Sequence, residues 1–513
     1  MTKQFLIGGV LLSAISSTVV AQFTLVEGEA QHPSMGSLFT PKQSIALSST
    51  QIVSLVNVNG NNELRASTFN GTSWSSTRMV GLGDFVLGNS HQPLGGIERF
   101  SLSPGPSGLV VTFSGVSGVN GVGLEIGPWY GVFQQDFTGG NLRVIAVQNG
   151  PSGEFNVNFG DRVPLFAANG SGQVLFGGAG GTPVADRLWR YDGPGMHTVL
   201  AENGGPPALS EFNDPPQVLP PPAPFYPRNR VLTGAGTAVG FAKEDGVGAI
   251  YEFASDGSRS IRVPAEGVTI AATHKMASSY TPVQVLGANA GPNGQTLYIG
   301  EDESDANARV LFRTGGEFVY PVGGEFDATF AKNNSPTGVP PSGTVTVGGR
   351  AVVYVPRGEF GTEGTLHYIT PSMSMAATIA PGDSFGDFTL ASIGGNDGFD
   401  GAQPAINDQG WVVFDATSDD FEQLLLGWNP ETETDCRGGS EARKPTELLL
   451  GWNPETETEV VIAYAGQTFS LPGDPGTSYE IVTISVRDVV HFDTTDVFKD
   501  LLAEDGTVAF GVS

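Results

Sequence analysis

One short phrase recurs along this chain and restricts what it can fold into. Asn169-Gly170-Ser171-Gly172-Gln173-Val174-Leu175-Phe176 returns as Asn407-Asp408-Gln409-Gly410-Trp411-Val412-Val413-Phe414. Close variants are Asp505-Gly506-Thr507-Val508-Ala509-Phe510 and Asn293-Gly294-Gln295-Thr296-Leu297-Tyr298. Looser copies run from Gly108 to Phe113, Gly236 to Phe241 and Gly349 to Tyr354. The marker glycines at 108, 172, 236, 294, 349, 410 and 506 are separated by 64, 64, 58, 55, 61 and 96 residues. Asn or Asp leading into Gly supplies a tight turn that needs positive φ, and the alternating residues after it read as a strand. After Gly172, Val174 and Phe176 share one face while Gln173 and Leu175 share the other.

A second phrase follows each marker: Arg187-Leu188-Trp189-Arg190-Tyr191-Asp192-Gly193, Ala249 to Phe253, Val310 to Gly315, and Thr365 to Ile369. Each leads through a turn to a third strand, such as His197 to Ala201 or Glu317 to Tyr320. These are hairpins in series. No stretch keeps an apolar stripe of period 3.6, which argues against an α-solenoid, while 72 glycines and 35 prolines suit many short strands and turns. The expected fold is all-β: a β-propeller of short antiparallel blades, seven favoured within a range of six to eight. An open series of β-sandwiches is the competing reading. Near the chain end, Val508, Phe510 and Val512 share a face, so this strand is expected to complete an early sheet around Phe23 to Glu27 and Ser44 to Asn57.

The long spacing has a separate cause. Leu424 to Thr434 (LLLGWNPETET) is repeated letter for letter at Leu448 to Thr458, an offset of 24. One copy is expected to occupy the blade and the other to form a bulged loop around 424–458. Between them lies the only cysteine, Cys436, in a local excess of base. It can form no internal disulfide, and zinc ribbons and redox CxxC motifs are excluded.

At the start, Lys3, the apolar run from Phe5 to Leu12 and the small residues ending Val19-Val20-Ala21 read as an export signal spanning 1–21, cleaved after Ala21. The run is too short to cross a bilayer, which takes about 20 residues. The expected mature chain, 22–513, is a single propeller domain, secreted to the medium, cell surface or periplasm, with no membrane span and monomeric. Only 15% of residues are charged against 39% apolar, so a packed core is within reach. The formal charge of −28, from 25 basic and 53 acidic residues, repels phosphate backbones and anionic membranes, which makes nucleic acid a poor partner.

The Asn-x-x-Gly-x-x-x-Phe phrase, the LWRYDG strand and the tails VLAENGGPP and IAPGDSFGDF together resemble the bacterial secreted tandem-repeat proteins known by that NxxGxxxF motif, over about residues 100 to 513. The resemblance implies an exported, propeller-like repeat protein and assigns no reaction. This chain differs in ending without the surface-anchor segment that such proteins often carry.

Candidate chemistry is sparse. None of the six histidines has HxH or HExxH spacing, and no GxSxG elbow, Walker or dinucleotide glycine motif stands in the right setting. His197 and His367 fall inside strand phrases, where packing or surface placement is expected rather than ligation. His274, Lys275 and Tyr280, within seven residues, could supply the base, charge neutraliser and acid of a polysaccharide lyase in an interblade cleft; an exposed loop is the competing reading. Asp302 and Asp305, and Asn396, Asp397 and Asp400, place oxygens at intervals that suit a structural Ca²⁺, or are simply solvated turns. No other cofactor is expected. Two functional classes stand: a non-catalytic extracellular module binding a glycan or surface protein, and a secreted carbohydrate-active enzyme of lyase type.

Overall fold

The computed structural model describes residues 5–10, 22–28, 39–58, 61–87, 93–105, 108–117, 129–140, 142–159, 164, 166–169, 171–181, 185–202, 209–210, 231–244, 247–263, 269–271, 274–275, 284–288, 296–301, 309–314, 318–319, 342–346, 348–355, 364–371, 375–394, 404–418, 446–471, 474–481, 484–485, 502–503 and 505–512. Every regular element among them is a β-strand, and no helix is long and apolar enough to cross a membrane.

Among the described residues, eight sheets have four or more strands. Sheet 1 is an antiparallel meander of Phe39–Ser48, Gln51–Val58, Asn61–Phe69 and Trp74–Gly81. Sheet 2 spans 94–147, sheet 4 spans 209–263, sheet 5 spans 284–319, sheet 6 spans 342–379 and sheet 7 spans 384–464. Sheet 3 consists of Phe166–Ala168, Val174–Gly180, Ala185–Gly193 and Met196–Glu202, with Val174 opposite Tyr191 and Phe176 opposite Trp189. Sheet 8 draws on both ends of the chain, in the order Gln22–Gly28, Phe5–Val10, Thr507–Val512 and Ile484–Ser485. The last long strand joins the sheet that holds Phe23 to Glu27, through residues 5–10, the apolar part of the segment read as an export signal, whereas Ser44 to Asn57 belong to the separate sheet 1.

The described marker phrases form hairpin turns of their sheets, those at Gly108, Gly172, Gly236 and Gly349 being the first turn of theirs. Gly172, Gly236, Gly349, Gly410 and Gly506 all have φ between 74° and 88°, and Gly108 has φ 125°. The same pair of backbone bonds closes five of these turns. Gly172 N–H donates to Asn169 O and Asn169 N–H to Gln173 O, and the pattern repeats at Thr233/Gly236, Thr346/Gly349, Asn407/Gly410 and Ala503/Gly506. Gly294 lies outside the described residues.

Seven markers explain why seven blades were favoured where eight sheets are found. Sheet 1 makes its first turn at Ser49–Thr50, between strands ending at Ser48 and starting at Gln51, with no glycine to announce it.

Strand alternation buries both faces. Val174 and Phe176 join Val132, Ile145, Ala146 and Trp189 between sheets 2 and 3, while Leu175 joins Leu232, Ala238 and Phe253 between sheets 3 and 4. Val508 and Phe510 face sheet 7, whereas Ala509 faces Ile52 and Val56 of sheet 1. Sheets 1 and 2 share Phe113, Trp129 and Phe133, whose rings lie 5.4 and 5.6 Å apart in stacked and edge arrangements. Sheets 6 and 7 share Tyr354, Tyr368, Phe414 and Trp452. A sheet apolar on both faces is stable only when stacked on two others, since each buried large side chain contributes roughly 1.5–3 kcal/mol.

The second of the two duplicated segments builds sheet 7: Thr446–Asn453 pairs with Val412–Ser418 on one side and Thr458–Tyr464 on the other. The first copy and Cys436 lie outside the described residues.

Candidate functional site

Described glycine-marked turns of neighbouring sheets meet, and polar side chains among them form a network of hydrogen bonds. Asn169 shows how the motif builds it. Its Oδ1 accepts from the N–H groups of Ser171 and Gln173, both at 3.0 Å, which caps its own turn. Its Nδ2 donates to Gln173 Oε1 and, across to the next sheet, to the carbonyl of Thr233, both at 2.8 Å. Thr233 opens the equivalent turn one repeat on. Asn407 does the same in sheet 7: Oδ1 accepts from Gln409 and Trp411, and Nδ2 donates to Ala503 O at 3.1 Å. Both asparagines are 1% exposed, so a buried amide satisfies groups on two sheets at once.

Where the first position is threonine, the hydroxyl keeps the capping role. Thr233 Oγ1 accepts from Thr237 N–H and Thr346 Oγ1 from Arg350 N–H. Arginine then supplies the link onward. Arg350 Nη1 donates to Asp408 O at 2.8 Å, and Asp408 Oδ1 accepts from Gly348 N–H at 2.7 Å, so the turns of sheets 6 and 7 are tied in both directions. Arg190 of sheet 3 donates to Gly236 O in sheet 4. Gln134 Nε2 of sheet 2 donates to Gly172 O in sheet 3 at 3.2 Å. Between sheets 8 and 1, Ser49 N–H donates to Asp505 Oδ2 at 2.7 Å. Gly236, at φ 78°, also leaves room for this network: a Cβ there would lie 2.7 Å from Gln173 Oε1 and 2.9 Å from Arg190 Nη1 and would displace those side-chain ends.

Carboxylates hold the arginines. Arg350 makes a two-pronged pair with Glu455, Nε to Oε1 at 2.8 Å and Nη2 to Oε2 at 2.9 Å, and Tyr368 donates its hydroxyl to Glu455 Oε1 at 2.7 Å. The hydrogen bonds from Arg350 hold the Glu455 carboxyl below its usual range, against burial, with Tyr368 adding to them. Burial, then the hydrogen bond to Glu455, pushes the Tyr368 hydroxyl up. In sheet 3, Asp192 accepts from Arg190 Nε and Gln173 Nε2 at 2.6 Å and from Thr198 Oγ1 at 2.7 Å. Burial opposes its charge, but these donors outweigh it and keep the carboxyl low.

Both strand histidines are packed, as expected. The His197 ring stacks on Phe155 at 3.6 Å and its Nε2 donates to Ile145 O at 2.8 Å, joining sheet 3 to sheet 2. Burial holds its pKa below the ordinary 6.5, against the Ile145 hydrogen bond and the Asp192 charge. His367 is buried between the hydroxyls of Thr365, at 2.8 Å, and Thr378, at 3.1 Å. Of the residues proposed for lyase chemistry, His274–Lys275 form a two-residue strand opposite Thr269–Ala271. Tyr280 lies outside the described residues, as do Asp302, Asp305, Asn396, Asp397 and Asp400. Among the described residues no three His, Cys, Asp or Glu side chains are grouped to hold a metal ion.

The cross-sheet role of Asn169, Asn407, Arg190 and Arg350 was not read from the motif. Its trace is there in retrospect: Arg190 interrupts an apolar strand phrase, and Arg350 directly follows a marker glycine.

No family model matches the chain, and no curated protein is similar to it in sequence. Several solved structures are similar in fold. The β-propeller domain of the trilobed protease from Pyrococcus furiosus is 10% identical over 83% of this chain and 98% of its own, with a TM-score of 0.41. Oligopeptidase B from Leishmania major is 8% identical over 88% of this chain with a TM-score of 0.42, and this chain spans about half of it, 53%. Oligogalacturonate lyase in complex with manganese is 10% identical over 100% of this chain and 98% of its own, with a TM-score of 0.36. The described residues make the chain an all-β protein of short antiparallel sheets in series.

Two outcomes follow. Asn169→Ala removes the buried bond to Thr233 O, which keeps only Gly236 N–H, and the half-buried cap on the Ser171 and Gln173 amides, and should lower the unfolding free energy by about 2–3 kcal/mol in urea titration. Asn70→Ala, which removes an exposed cap from a turn of sheet 1, should cost about 1 kcal/mol or less. For His197, the folded pKa lies below the unfolded one, so its contribution is complete above about pH 6.5 and is lost as pH falls through the folded value. Wild type should therefore lose melting temperature between pH 7.5 and 5.5, and His197→Gln should lose less over the same interval.

Proposed function

We propose that this chain is a secreted or cell-surface repeat protein of the NxxGxxxF kind that acts as a non-catalytic binding module, taking a glycan or a surface protein on the end of the sheets that carries the marker turns. The observation that carries the reading is the employment of its reactive side chains. His197, His367, Arg190 and Arg350 are each tied into the frame by hydrogen bonds within or between sheets. Adjacent turns held this firmly form a pre-organised surface, which lowers the ordering cost of binding. A charge of −28 favours neutral or cationic partners over polyanions.

Export with cleavage after Ala21 belongs to this reading and has a structural consequence. Phe5–Val10 runs antiparallel to both Gln22–Gly28 and Thr507–Val512. Its removal would leave those two strands parallel, one strand-width apart, until Gln22–Gly28 turned to take the vacated place.

The alternative is a lyase using His274 and Lys275, and one observation speaks for it: the two are adjacent in the stretch linking sheet 4, ending at Val263, to sheet 5, starting at Gln284. That is where an interblade cleft would find its catalytic groups. A screen of purified protein on neutral and acidic polysaccharides separates the two. The binding reading expects retention on a neutral glycan or cell-surface fraction with no new unsaturated or reducing ends. Sustained release of such ends, abolished by His274→Ala, would replace it with the lyase.

A further inference from the structure

The last hairpin turn of sheet 1 carries an asparagine followed by glycine, and no part of the binding reading uses it. Asn70 and Gly71 stand between the strands Asn61–Phe69 and Trp74–Gly81, and residues 70–73 are all exposed. Phe69 N–H donates to Thr50 O at 2.9 Å, so this turn lies beside Ser49–Thr50, at the end of sheet 1 that meets Asp505 of sheet 8.

The side-chain carbonyl of Asn70 is surrounded by donors. Its Oδ1 accepts from Thr72 N–H at 3.0 Å, from Ser73 N–H at 2.9 Å and from Thr72 Oγ1 at 2.9 Å, while its Nδ2 donates to Ser73 Oγ at 3.3 Å. Three donors on one amide oxygen draw electrons away from Cγ and stabilise negative charge that develops on that oxygen when a nucleophile adds. The nearest nucleophile in the chain is the next main-chain nitrogen. Gly71, at φ 96°, has no side chain to screen it, and a Cβ built there would meet nothing within 4 Å.

We propose that this turn is a self-modifying site, at which Gly71 N attacks Asn70 Cγ and the Asn70 amide nitrogen is lost. The Gly71 N–H proton passes to water, the N–Cγ bond forms, and the charge gathers on Oδ1 among its three donors. The Cγ–Nδ2 bond then breaks, and Nδ2 leaves as ammonia with a proton taken from water, which closes a five-membered imide. Water opens the ring at Cγ, giving aspartate at position 70, or at the Asn70 main-chain carbonyl carbon, giving the β-linked isomer. Either opening returns a proton to Gly71 N. One water is consumed and one ammonia released, with no change of oxidation state.

The two products treat the turn differently. Aspartate keeps an oxygen that accepts from Thr72 and Ser73, whereas the β-linked isomer lengthens the main chain by a methylene and takes the cap apart. Both add a negative charge at the end of sheet 1 that meets Asp505.

Two other Asn-Gly pairs show why this one is singled out. At Asn149–Gly150 the nitrogen that would attack is committed, Gly150 N–H donating to Asn156 Oδ1 at 2.8 Å. At Asn169 the amide that would leave is buried and held by both Gln173 Oε1 and Thr233 O.

Peptide mapping by mass spectrometry, on the full chain incubated folded and in urea, tests the proposal by following the amide-to-carboxylate mass gain at each asparagine. Asn70 should convert about tenfold faster in the folded chain than in the unfolded one, whereas folding should slow Asn149 and Asn169. The folded rate at Asn70 should rise with pH, because the attacking nitrogen must first lose its proton. Thr72→Val removes only the hydroxyl donor; it should slow Asn70 several-fold in the folded chain and leave its rate in urea unchanged. The proposal is overturned if folding slows Asn70 as it slows the other two, or if Thr72→Val leaves the folded rate unaltered. The first comparison needs no variant, so it decides the matter even where Thr72→Val fails to fold.

Discussion

Among the described residues, sheets 3, 7 and 8 bury apolar side chains on both faces and are tied to their neighbours twice: once by burial, and once by hydrogen bonds that cross from one turn to the next. Burial is non-directional and by itself leaves the sliding of one sheet over another weakly opposed. The bonds from Asn169 to Thr233 O, Asn407 to Ala503 O and Arg350 to Asp408 O are directional and join equivalent points of successive repeats. They set the relative position of sheets whose apolar faces would tolerate several. The repeated phrase is therefore an instruction for stacking as much as for turning.

This constraint shapes what the turn-bearing end can do. Carboxylates such as Asp192 and Glu455 are kept charged by the arginines that they position, and those arginines are in turn engaged with carbonyls of the next sheet. Groups locked into such networks make a stiff surface. The same network explains how a chain with a surplus of acidic residues keeps its few bases in defined places.

Much of the fold could be read from the residues because glycine and alternation leave direct marks. Positive φ at Gly172, Gly236, Gly349, Gly410 and Gly506 follows from the turn chemistry, and the opposed burial of Phe176 and Leu175 from the period of a strand. Strands around Ser44 to Asn57 were read, but sheet 1 was not counted as a repeat of its own because its turn at Ser49–Thr50 needs no glycine. The strand Phe5–Val10 falls within the run read as an export signal, since a short apolar run suits a signal and a strand alike. The candidate site was less legible. Asparagine before a turn has a sufficient local explanation, so its second bond, made to a residue 64 positions away, leaves no local trace. His274 and Lys275 were chosen by proximity in the sequence, and the described backbone places them on a two-residue strand.

Hydrogen exchange read by mass spectrometry tests the mutual dependence of the sheets most directly. Amides of the strands Val174–Gly180, Ala351–Val355, Val412–Ser418 and Thr507–Val512 should be protected together and lose protection in one concerted opening as denaturant is added. Independent openings, each strand set exchanging at its own denaturant concentration, would contradict an architecture in which every sheet is held by the next.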